Sequence, residues 1–362
     1  MGAPETQGLG VRFAANLVLP AATLAGYFVG GAWTWAGFVA YLVCYVAIDA
    51  AAPHDLHEPP RTAGLLRDVL LFAQLPLVAV CWLWFAALFR VGGGYDLFGA
   101  AASLTVTIAI NGTVTAHELV HRTSSPASLA AGRLLLAFIL DAAFSIEHVY
   151  GQHARVATAD DAATARRGEN VYAFFWRSTT RSFVSAWAIE AERLARRRHA
   201  LWSWHNRNLR GVGLSLLLIV VSVAIGGLAA GAAFVAVAVF AKFFLEMTNY
   251  VEHYGLVRAP GTPVAQRHSW DTAARFSAIG MFNLGRHAAH HMKGNQPYWA
   301  LPLAGGAPKM LSGVPASAII AAVPPVWFRM MRSRLARWDR DCASDGERTL
   351  LGIPNRRGVR SG

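Results

Sequence analysis

Six apolar stretches, each close to or above the length that crosses a bilayer, constrain this chain more than any other feature. They cover residues 13–31, 33–50, 68–89, 97–116, 211–229 and 231–250. A helix of about 20 mostly apolar residues spans a hydrocarbon layer of about 30 Å. Inside that layer the backbone polar groups must bond to one another, and helices do this within one segment. The stretches therefore predict an all-α integral membrane protein with six transmembrane helices.

The composition also indicates a membrane protein. Of the 362 residues, 54% are apolar and only 15% are charged, whereas a soluble domain carries about 25% charged residues. The formal net charge is +12, and arginine supplies most of the basic residues because the chain has only three lysines, Lys242, Lys293 and Lys309. On so hydrophobic a chain, basic loops face anionic lipid headgroups on the cytoplasmic side. We therefore expect contacts with membrane lipid and no nucleic-acid partner.

The stretches fall into three pairs, which predicts three helical hairpins with short tips such as Gly92-Gly93-Gly94. The segment 166–210, between the second and third pairs, is rich in arginine. The positive-inside bias then places both termini and the segments 51–67, 117–210 and 251–362 in the cytoplasm. We expect one domain over 1–362 in a bacterial-type inner membrane, with a histidine-rich helical cap at 117–210 and 251–340. Residues 341–362 are expected to form a flexible tail.

Two further apolar segments are not interpreted as spans. Residues 127–145 contain Arg133 and Asp141, and a seventh crossing would put the histidines that follow on the opposite side of the membrane. We interpret this segment as a buried or interfacial helix. Residues 314–328 are treated in the same way, because Pro324 and Pro325 break them.

Most of the 13 histidines lie in four short clusters just beyond predicted spans. The clusters are His117-Glu118-Leu119-Val120-His121, Glu147-His148-Val149-Tyr150-Gly151-Gln152-His153, Asn249-Tyr250-Val251-Glu252-His253 and Arg286-His287-Ala288-Ala289-His290-His291. Positions i and i+4 of a helix share one face, so the first cluster can direct two imidazoles at one ion. Imidazole binds iron, zinc, copper and nickel. Eight imidazoles are too many for one ion and suit two, so the sequence predicts a dinuclear metal site at the membrane boundary.

These motifs resemble those of the integral-membrane non-haem diiron alkane 1-monooxygenases, within the fatty acid desaturase-like superfamily. The resemblance covers roughly residues 95–340 and includes 155–158, 167–170, 267–270 and 324–328. It implies two iron ions, with O₂ as co-substrate. It implies as iron ligands His117, His121, His148, His153, His253, His287, His290 and His291. It further suggests Glu118, Glu147, Glu252, His268, Asp160 and Asp161 as groups that orient the ligands or position arginines.

The chain departs from the family pattern at two positions. The family's second motif ends in adjacent histidines, whereas this chain has Gln152-His153. Gln152 could offer its amide oxygen as a weak ligand, or leave the place of one ligand to water. Gly285 stands where alkane hydroxylases usually have glutamine, which changes the surroundings of the ligands but leaves the ligands themselves in place.

The resemblance implies hydroxylation of an unactivated C–H bond, first of all in the terminal methyl group of an alkane. Two alternatives are hydroxylation of a methyl group on an aromatic ring, as in the xylene-type enzymes, and desaturation or hydroxylation of a fatty acyl chain. Lys242 with Glu246 resembles the xylene type, but the two residues could equally form an i,i+4 ion pair that makes a buried lysine tolerable. We expect the small hydrophobic substrate to enter along 99–112, past bulky residues among Trp33, Trp35, Trp82, Trp84 and Phe138, although small residues in spans commonly serve close helix packing.

Two alternative functions, metal-cation transport and zinc-dependent peptide hydrolysis, explain fewer of the histidine clusters. A metal-cation transporter would distribute its histidines through the membrane, whereas these histidines cluster on one side. A zinc peptidase would use the His-Glu-x-x-His motif and leave the other three clusters unexplained.

Electrons must come from outside the chain. It has no set of cysteines for an iron–sulfur centre and no Gly-x-Gly-x-x-Gly motif opening a βαβ unit. The resemblance implies a separate rubredoxin or ferredoxin, which a flavin reductase reduces with NAD(P)H. The arginine-rich segment 193–210 is a docking candidate for such an acidic partner, and contact with lipid explains its charge equally well.

Overall fold

The computed structural model describes residues 10–59, 65–91 and 96–355, and these form helices joined by turns and loops. In chain order the helices are α1 (Arg12–Val29), α2 (Ala32–Ala51), α3 (Leu65–Val91), α4 (Leu97–His121), α5 (Pro126–Ala137), α6 (144–155), α7 (Val171–Arg196), α8 (Arg207–Gly226), α9 (Leu228–His253), α10 (Arg275–Ile279), α11 (His287–Met292), α12 (Val314–Ala321), α13 (Pro324–Asp341) and α14 (Asp345–Leu350). Single 3₁₀ turns lie at Gln266–His268 and Tyr298–Ala300. Within the described ranges there is no strand beyond one isolated bridge, between Asp271 and Lys309.

Six of these helices, α1 to α4 together with α8 and α9, are long and apolar enough to cross a membrane. This confirms the prediction of an all-α membrane protein with six such helices. The predicted tip at 92–94, between α3 and α4, lies outside the described residues. α8 and α9 are joined by Gly227, whose φ of +83° is in the left-handed region where glycine carries no steric penalty.

α4 extends further than the predicted span 97–116. It begins at Asp96, whose carboxylate accepts the N–H groups of Phe98 and Gly99, and it continues to His121. Its last turns are fastened by Glu118, whose side chain accepts a bond from the Arg122 guanidinium and one from the backbone N–H of Tyr298. The first histidine cluster, expected just beyond the span, therefore lies within the last turns of the same helix.

Polar side chains inside the bundle are bonded to neighbouring helices. The Tyr27 hydroxyl donates to the carbonyl of Ala100 at 2.6 Å, which joins α1 to α4. The Trp82 indole N–H donates to the Ser222 hydroxyl at 2.9 Å, which joins α3 to α8. Such bonds satisfy groups that lipid cannot, and they fix how the helices pack.

The two apolar segments not assigned as spans are short helices. α5 has 12 residues, fewer than a bilayer crossing requires. α12 ends at Ala321, and α13 starts at Pro324, where proline is tolerated because a first-turn N–H has no helical partner.

The segment expected to be a flexible tail contains α14 in its described part. Glu347 of α14 is fully buried and accepts bonds from the Arg267 guanidinium, at 3.0 Å, and from Nε2 of His268, at 2.8 Å. Both partners lie about 80 positions earlier in the chain. The local sequence pattern therefore does not reveal that these bonds hold α14 in place. Residues 356–362 lie outside the described part of the chain.

Replacing Glu347 by Gln should detach α14. Burial opposes ionisation of this carboxyl, but its bonds to His268 and Arg267 outweigh burial and lower its pKa to about 2. The carboxylate then stabilises the fold above the ordinary carboxyl pKa of about 4.3, and this contribution is lost as the pH falls towards 2. We expect Glu347→Gln to lower the free energy of unfolding at pH 7 by about 1–3 kcal/mol.

Thermal unfolding of the purified protein in detergent measures this effect. The difference in unfolding temperature between wild type and Glu347→Gln should be largest near pH 7 and shrink below pH 4. Glu192→Gln, at an exposed pair with Arg196, is the matched control. Equal unfolding temperatures for wild type and Glu347→Gln at pH 7 would show that the bonds of Glu347 to His268 and Arg267 do not stabilise the fold.

Candidate metal centre

The eight histidines predicted as ligands converge at one end of the bundle. They come from four elements: the last turns of α4, the middle of α6, the end of α9, and α11. All are buried except His117 and His153, which are partly buried. Segments separated by more than 100 residues therefore contribute side chains to a single region.

The first set of ring nitrogens belongs to His117, His121, His148 and His290. One ring nitrogen from each lies within 4.8 Å of the others. His153 adjoins this set, with its Nε2 atom 3.1 Å from Nε2 of His290. Its ring also stacks on His291 of the second set, with a centroid distance of 4.4 Å.

The second set belongs to His253, His287 and His291. Nε2 of His287 is 3.0 Å from Nε2 of His253 and 2.9 Å from Nε2 of His291. It also lies 3.3 Å from a carboxylate oxygen of Glu252. One imidazole nitrogen has either a single hydrogen or a single lone pair, so it cannot bond to all three neighbours at once.

Local helix geometry explains how neighbouring histidines share a set. His117 and His121 are four residues apart on α4, and His287 and His291 are four apart on α11, so each pair shares one face. His148 and His153 are five apart, which on a regular α-helix would separate their directions by roughly 140°. A widened π-helical turn, closed by a bond from the His153 N–H to the carbonyl of His148, brings their rings to a centroid distance of 4.8 Å.

The two sets fit metal binding. Two imidazole nitrogens that bind one ion at about 2.1 Å are themselves about 3 Å apart, as in the second set. Nε2 of His117, His121 and His148 has no hydrogen-bond partner within the described ranges, although each atom is buried. Burial lowers the pKa of His148 to about 4 and that of His153 to about 2, and it lowers the pKa of His287, His290 and His291 well below 6.5. The imidazoles outside the spans are therefore neutral at physiological pH, as a metal ligand must be.

Three polar groups support the elements that carry the rings. The Gln152 amide oxygen lies 2.6 Å from Nδ1 of His148, while Nε2 of that ring has no partner within the described ranges. The carboxylate of Glu252 lies 3.3 Å from Nε2 of His287, the nitrogen that also faces His253 and His291. Asp271 accepts the backbone N–H of Ala288 at 2.7 Å and so fixes the start of α11. Such contacts set ring orientation and tautomer in metal sites.

The other predicted carboxylates are directed at arginines and at the backbone. Glu147 accepts a bond of 3.0 Å from Arg155, and burial raises its pKa to about 7. Asp161 bonds to the Thr164 hydroxyl and to the backbone N–H of Ala163. Asp160 is exposed. None of these bonds joins a carboxylate to a ring of the two imidazole sets.

His268 is buried close to the centre but bonds elsewhere. Its Nδ1 accepts the N–H of Ala265 at 3.0 Å, and its Nε2 faces Glu347. Asp271 was not among the residues predicted at the site. Its position directly after Arg267-His268-Ser269-Trp270, a motif that is part of the resemblance, is the signal that could have identified it.

Comparison with known proteins agrees with this geometry. The sequence matches the profile of the fatty acid desaturase family over residues 95–311. It is 35% identical to an alkane 1-monooxygenase of Pseudomonas aeruginosa over 297 residues, which is 78% of this chain and 76% of that relative. It is 30% identical to the xylene/toluene monooxygenase hydroxylase component of Pseudomonas putida over 349 residues, which is 94% of this chain and 93% of that relative. The chain belongs to the fatty acid desaturase family, on the branch of the alkane and xylene monooxygenases.

Membership of this branch makes the protein a membrane oxidoreductase, a monooxygenase with a histidine-rich metal-binding site and a hydrophobic substrate. An electron-transfer partner is implied as well. The transporter and zinc peptidase alternatives are not supported, because the similarity extends over most of the chain to oxidoreductases.

Replacing Gln152 by Leu tests the support of His148. Leucine has a similar size but no acceptor, so Nδ1 of His148 would lose its partner and the ring would be held less firmly. We expect metal affinity to fall by about 10- to 100-fold, as for other residues that orient ligands. Competition with a chelator measures it.

Gln152→Glu, which keeps an acceptor oxygen, is the matched control and should bind metal more tightly than Gln152→Leu. Wild-type affinity in Gln152→Leu would exclude the orienting role.

Proposed function

We propose that this protein is a diiron monooxygenase that uses O₂ to hydroxylate an unactivated C–H bond of a hydrophobic substrate, with the terminal methyl group of an alkane as the main target. The observation that carries the proposal is the pair of adjoining imidazole sets beside an apolar cavity inside the membrane bundle. Neither feature alone would be enough. A histidine-rich site occurs in many metalloproteins, and an apolar cavity occurs in many membrane proteins.

The two sets divide the ligands between two ions. His117, His121, His148 and His290 would hold one iron ion, and His253, His287 and His291 would hold the other. His153, which adjoins both sets, would complete one of them. Imidazole suits iron, and zinc has no redox chemistry with which to attack a C–H bond. When bound, iron supplies the one-electron and O₂ chemistry that this reaction requires.

The chain's own residues orient the substrate and exclude water. A narrow pocket of about 30 Å³, here called the histidine pocket, is lined by three imidazoles, by Glu252 and Asn249, and by a larger number of apolar side chains that include Ile110 and Phe144. The imidazoles are those of His117, His148 and His287. So small and apolar a space admits the end of a substrate and little solvent. Exclusion of water limits side reactions of a strong oxidant.

A second cavity, here called the membrane cavity, has a volume of about 660 Å³. It lies among α2, α3, α4 and α9, and its lining includes Trp35, Phe98, Val106 and Phe240. No charged side chain is found among its lining residues in the described part of the chain. Such walls favour a hydrocarbon over a fatty acid, whose carboxylate would need a polar partner.

Phe244 lines both spaces and separates them. Its ring packs edge-on against Tyr41, at a centroid distance of 5.8 Å. The expected entry along 99–112 agrees with this path, since Ala101, Ala102 and Thr105 line the membrane cavity. Of the bulky residues expected at the entry, Trp35 lines the cavity, whereas Phe244 was not anticipated.

Electrons would come from a rubredoxin or ferredoxin that a flavin reductase reduces with NAD(P)H. Fewer arginines of the segment 193–210 are available to a partner than the sequence suggests. Arg193 and Arg207 both bind the buried carboxylate of Glu190. Arg196, Arg197 and Arg198 are exposed at the end of α7 and would contact an acidic partner. The same basic charge favours a cytoplasmic position for the site in a bacterial inner membrane.

Product analysis tests the reaction. Cells that express the chain with a rubredoxin or ferredoxin system are fed octane and p-xylene together, and products are separated by gas chromatography. We expect octan-1-ol as the main product. Mainly 4-methylbenzyl alcohol would assign the protein to the xylene type, and no oxidation of either compound by an iron-loaded protein would contradict the proposal.

His287→Ala is the blank for this experiment. It should abolish oxidation and lower bound iron, measured by elemental analysis of the purified protein. His205→Ala, at an exposed histidine, should retain both. Full iron content and activity in His287→Ala would refute its assignment as a ligand.

Phe244→Ala should widen the passage between the two spaces. We expect the ratio of dodecan-1-ol to octan-1-ol, from equal mixtures of the two alkanes, to rise several-fold because a longer chain can then occupy both spaces. Phe240→Ala alters the membrane cavity alone and is the control. An unchanged ratio in Phe244→Ala would show that this ring does not limit substrate length.

A further inference from the structure

Three charged side chains meet inside the membrane bundle. The Lys242 ammonium of α9 lies 2.6 Å from a carboxylate oxygen of Asp141 and 2.5 Å from one of Glu246. Lys242 and Glu246 are buried, and Asp141 is the most exposed of the three at 16%. We call these residues the charged triad.

The triad is more than the i,i+4 pair expected from sequence. Asp141 comes from the turn between α5 and α6, so a second segment contributes charge to a site already neutralised by Glu246. Charges inside a membrane bundle are costly, and replacement of a buried ion pair by apolar side chains is often neutral or stabilising. Support of the fold therefore does not by itself account for two carboxylates around one ammonium.

The outer end of the triad reaches a cavity of about 210 Å³, here called the side cavity. Asp141 lines it together with Asn208 and Ser215 of α8. Asn208 belongs to the first turn of α8, beside the arginine-rich segment. The side cavity thus lies at the same end of the bundle as the polar cap.

The inner end points to the histidine pocket. The Asn249 amide lies 3.5 Å from the second carboxylate oxygen of Glu246. Asn249 itself lines the histidine pocket together with His117, His148 and His287. Polar groups therefore follow one another from the side cavity, through the charged triad and Asn249, to the pocket that the imidazoles line.

We propose that Asp141, Lys242 and Glu246 form the route by which protons enter the histidine pocket during turnover. This inference rests on the proposed function. An alkane, O₂, two electrons and two protons give an alcohol and water, so every turnover consumes two protons. The pocket has one carboxylate of its own, Glu252, which lies 3.3 Å from Nε2 of His287. The charged triad, in contrast, links the pocket to a second cavity through Asn249.

The transfer is balanced at each step. The Lys242 ammonium gives a proton to the Glu246 carboxylate, and the carboxyl group of Asp141 returns one to Lys242. Asp141 takes its proton from water in the side cavity. Glu246 releases its proton towards the pocket beside Asn249. No electron moves along this route. Glu147, which precedes His148 in the chain, bonds to Arg155 and Ser185 and is not part of it.

Lys242→Arg gives the sharpest test, because it keeps the positive charge while a guanidinium does not release its proton in proteins. We expect the variant to bind iron and substrate as the wild type does. Its kcat should fall by about ten-fold or more, its solvent deuterium isotope effect should increase, and less alcohol should form per NAD(P)H consumed. A purely structural triad predicts wild-type values for all three.

Glu246→Gln and Glu246→Asp form a second pair. Gln removes the carrier and should reproduce the effects of Lys242→Arg, whereas Asp keeps a carboxylate and should restore part of the rate. Glu190→Gln, which removes a buried carboxylate bound by two arginines away from the route, should leave the isotope effect unchanged. If iron-loaded Lys242→Arg and Glu246→Gln both show wild-type kcat and isotope effect, the route is wrong. If the wild type oxidises no hydrocarbon at all, the proposed function fails instead.

Discussion

Burial of eight imidazoles at one end of a membrane bundle is the constraint on which the rest of this structure depends. A buried polar group without a partner is costly, and several of these ring nitrogens have none within the described ranges. Bound cations would satisfy them together. To hold the nitrogens about 3 Å apart, as in the second set, the chain must fix α4, α6, α9 and α11 against one another. Gln152 bonds to Nδ1 of His148, and Asp271 bonds to the backbone N–H of Ala288 at the start of α11. Neither bond uses the Nε2 atoms that face one another in the sets.

The membrane helices determine where this chemistry can lie. Lipid offers no hydrogen-bond partners to backbone N–H and C=O groups, whereas a helix satisfies these groups internally. Irregular polar segments therefore lie at the ends of the membrane helices. α4 and α9 carry histidines at their last turns, and the widened turn of α6 and the short α11 pack beside them. The same two long helices line the membrane cavity. In α4 and α9, one end therefore lines the cavity proposed for the hydrocarbon, and the other end carries histidines of the proposed metal site.

Patterns with a local physical cause could be predicted from sequence. Apolar length predicts the six membrane helices, and helical spacing predicts that His117 and His121 share a face. Contacts between distant segments could not be predicted. Glu347 and His268 are 79 positions apart, and Asp141 and Lys242 are joined only through packing. The contact between Gln152 and Nδ1 of His148 likewise depends on a widened turn, which the spacing of apolar residues does not predict.

The residues that bind metal are different from the residues that line the substrate space. This difference helps to explain how related sites can carry out different oxidations. The imidazole sets determine what metal chemistry is available, and they are built from motifs that resemble those of the alkane monooxygenases. In the proposed reaction, the C–H bond that reacts would be the one that the side chains beside the sets, such as Phe144, Tyr41 and Phe244, hold nearest to them. None of these is part of a histidine motif. Substrate preference can therefore change through the walls while the metal site stays intact, because a ring that packs against Tyr41 has no bond to an imidazole to preserve.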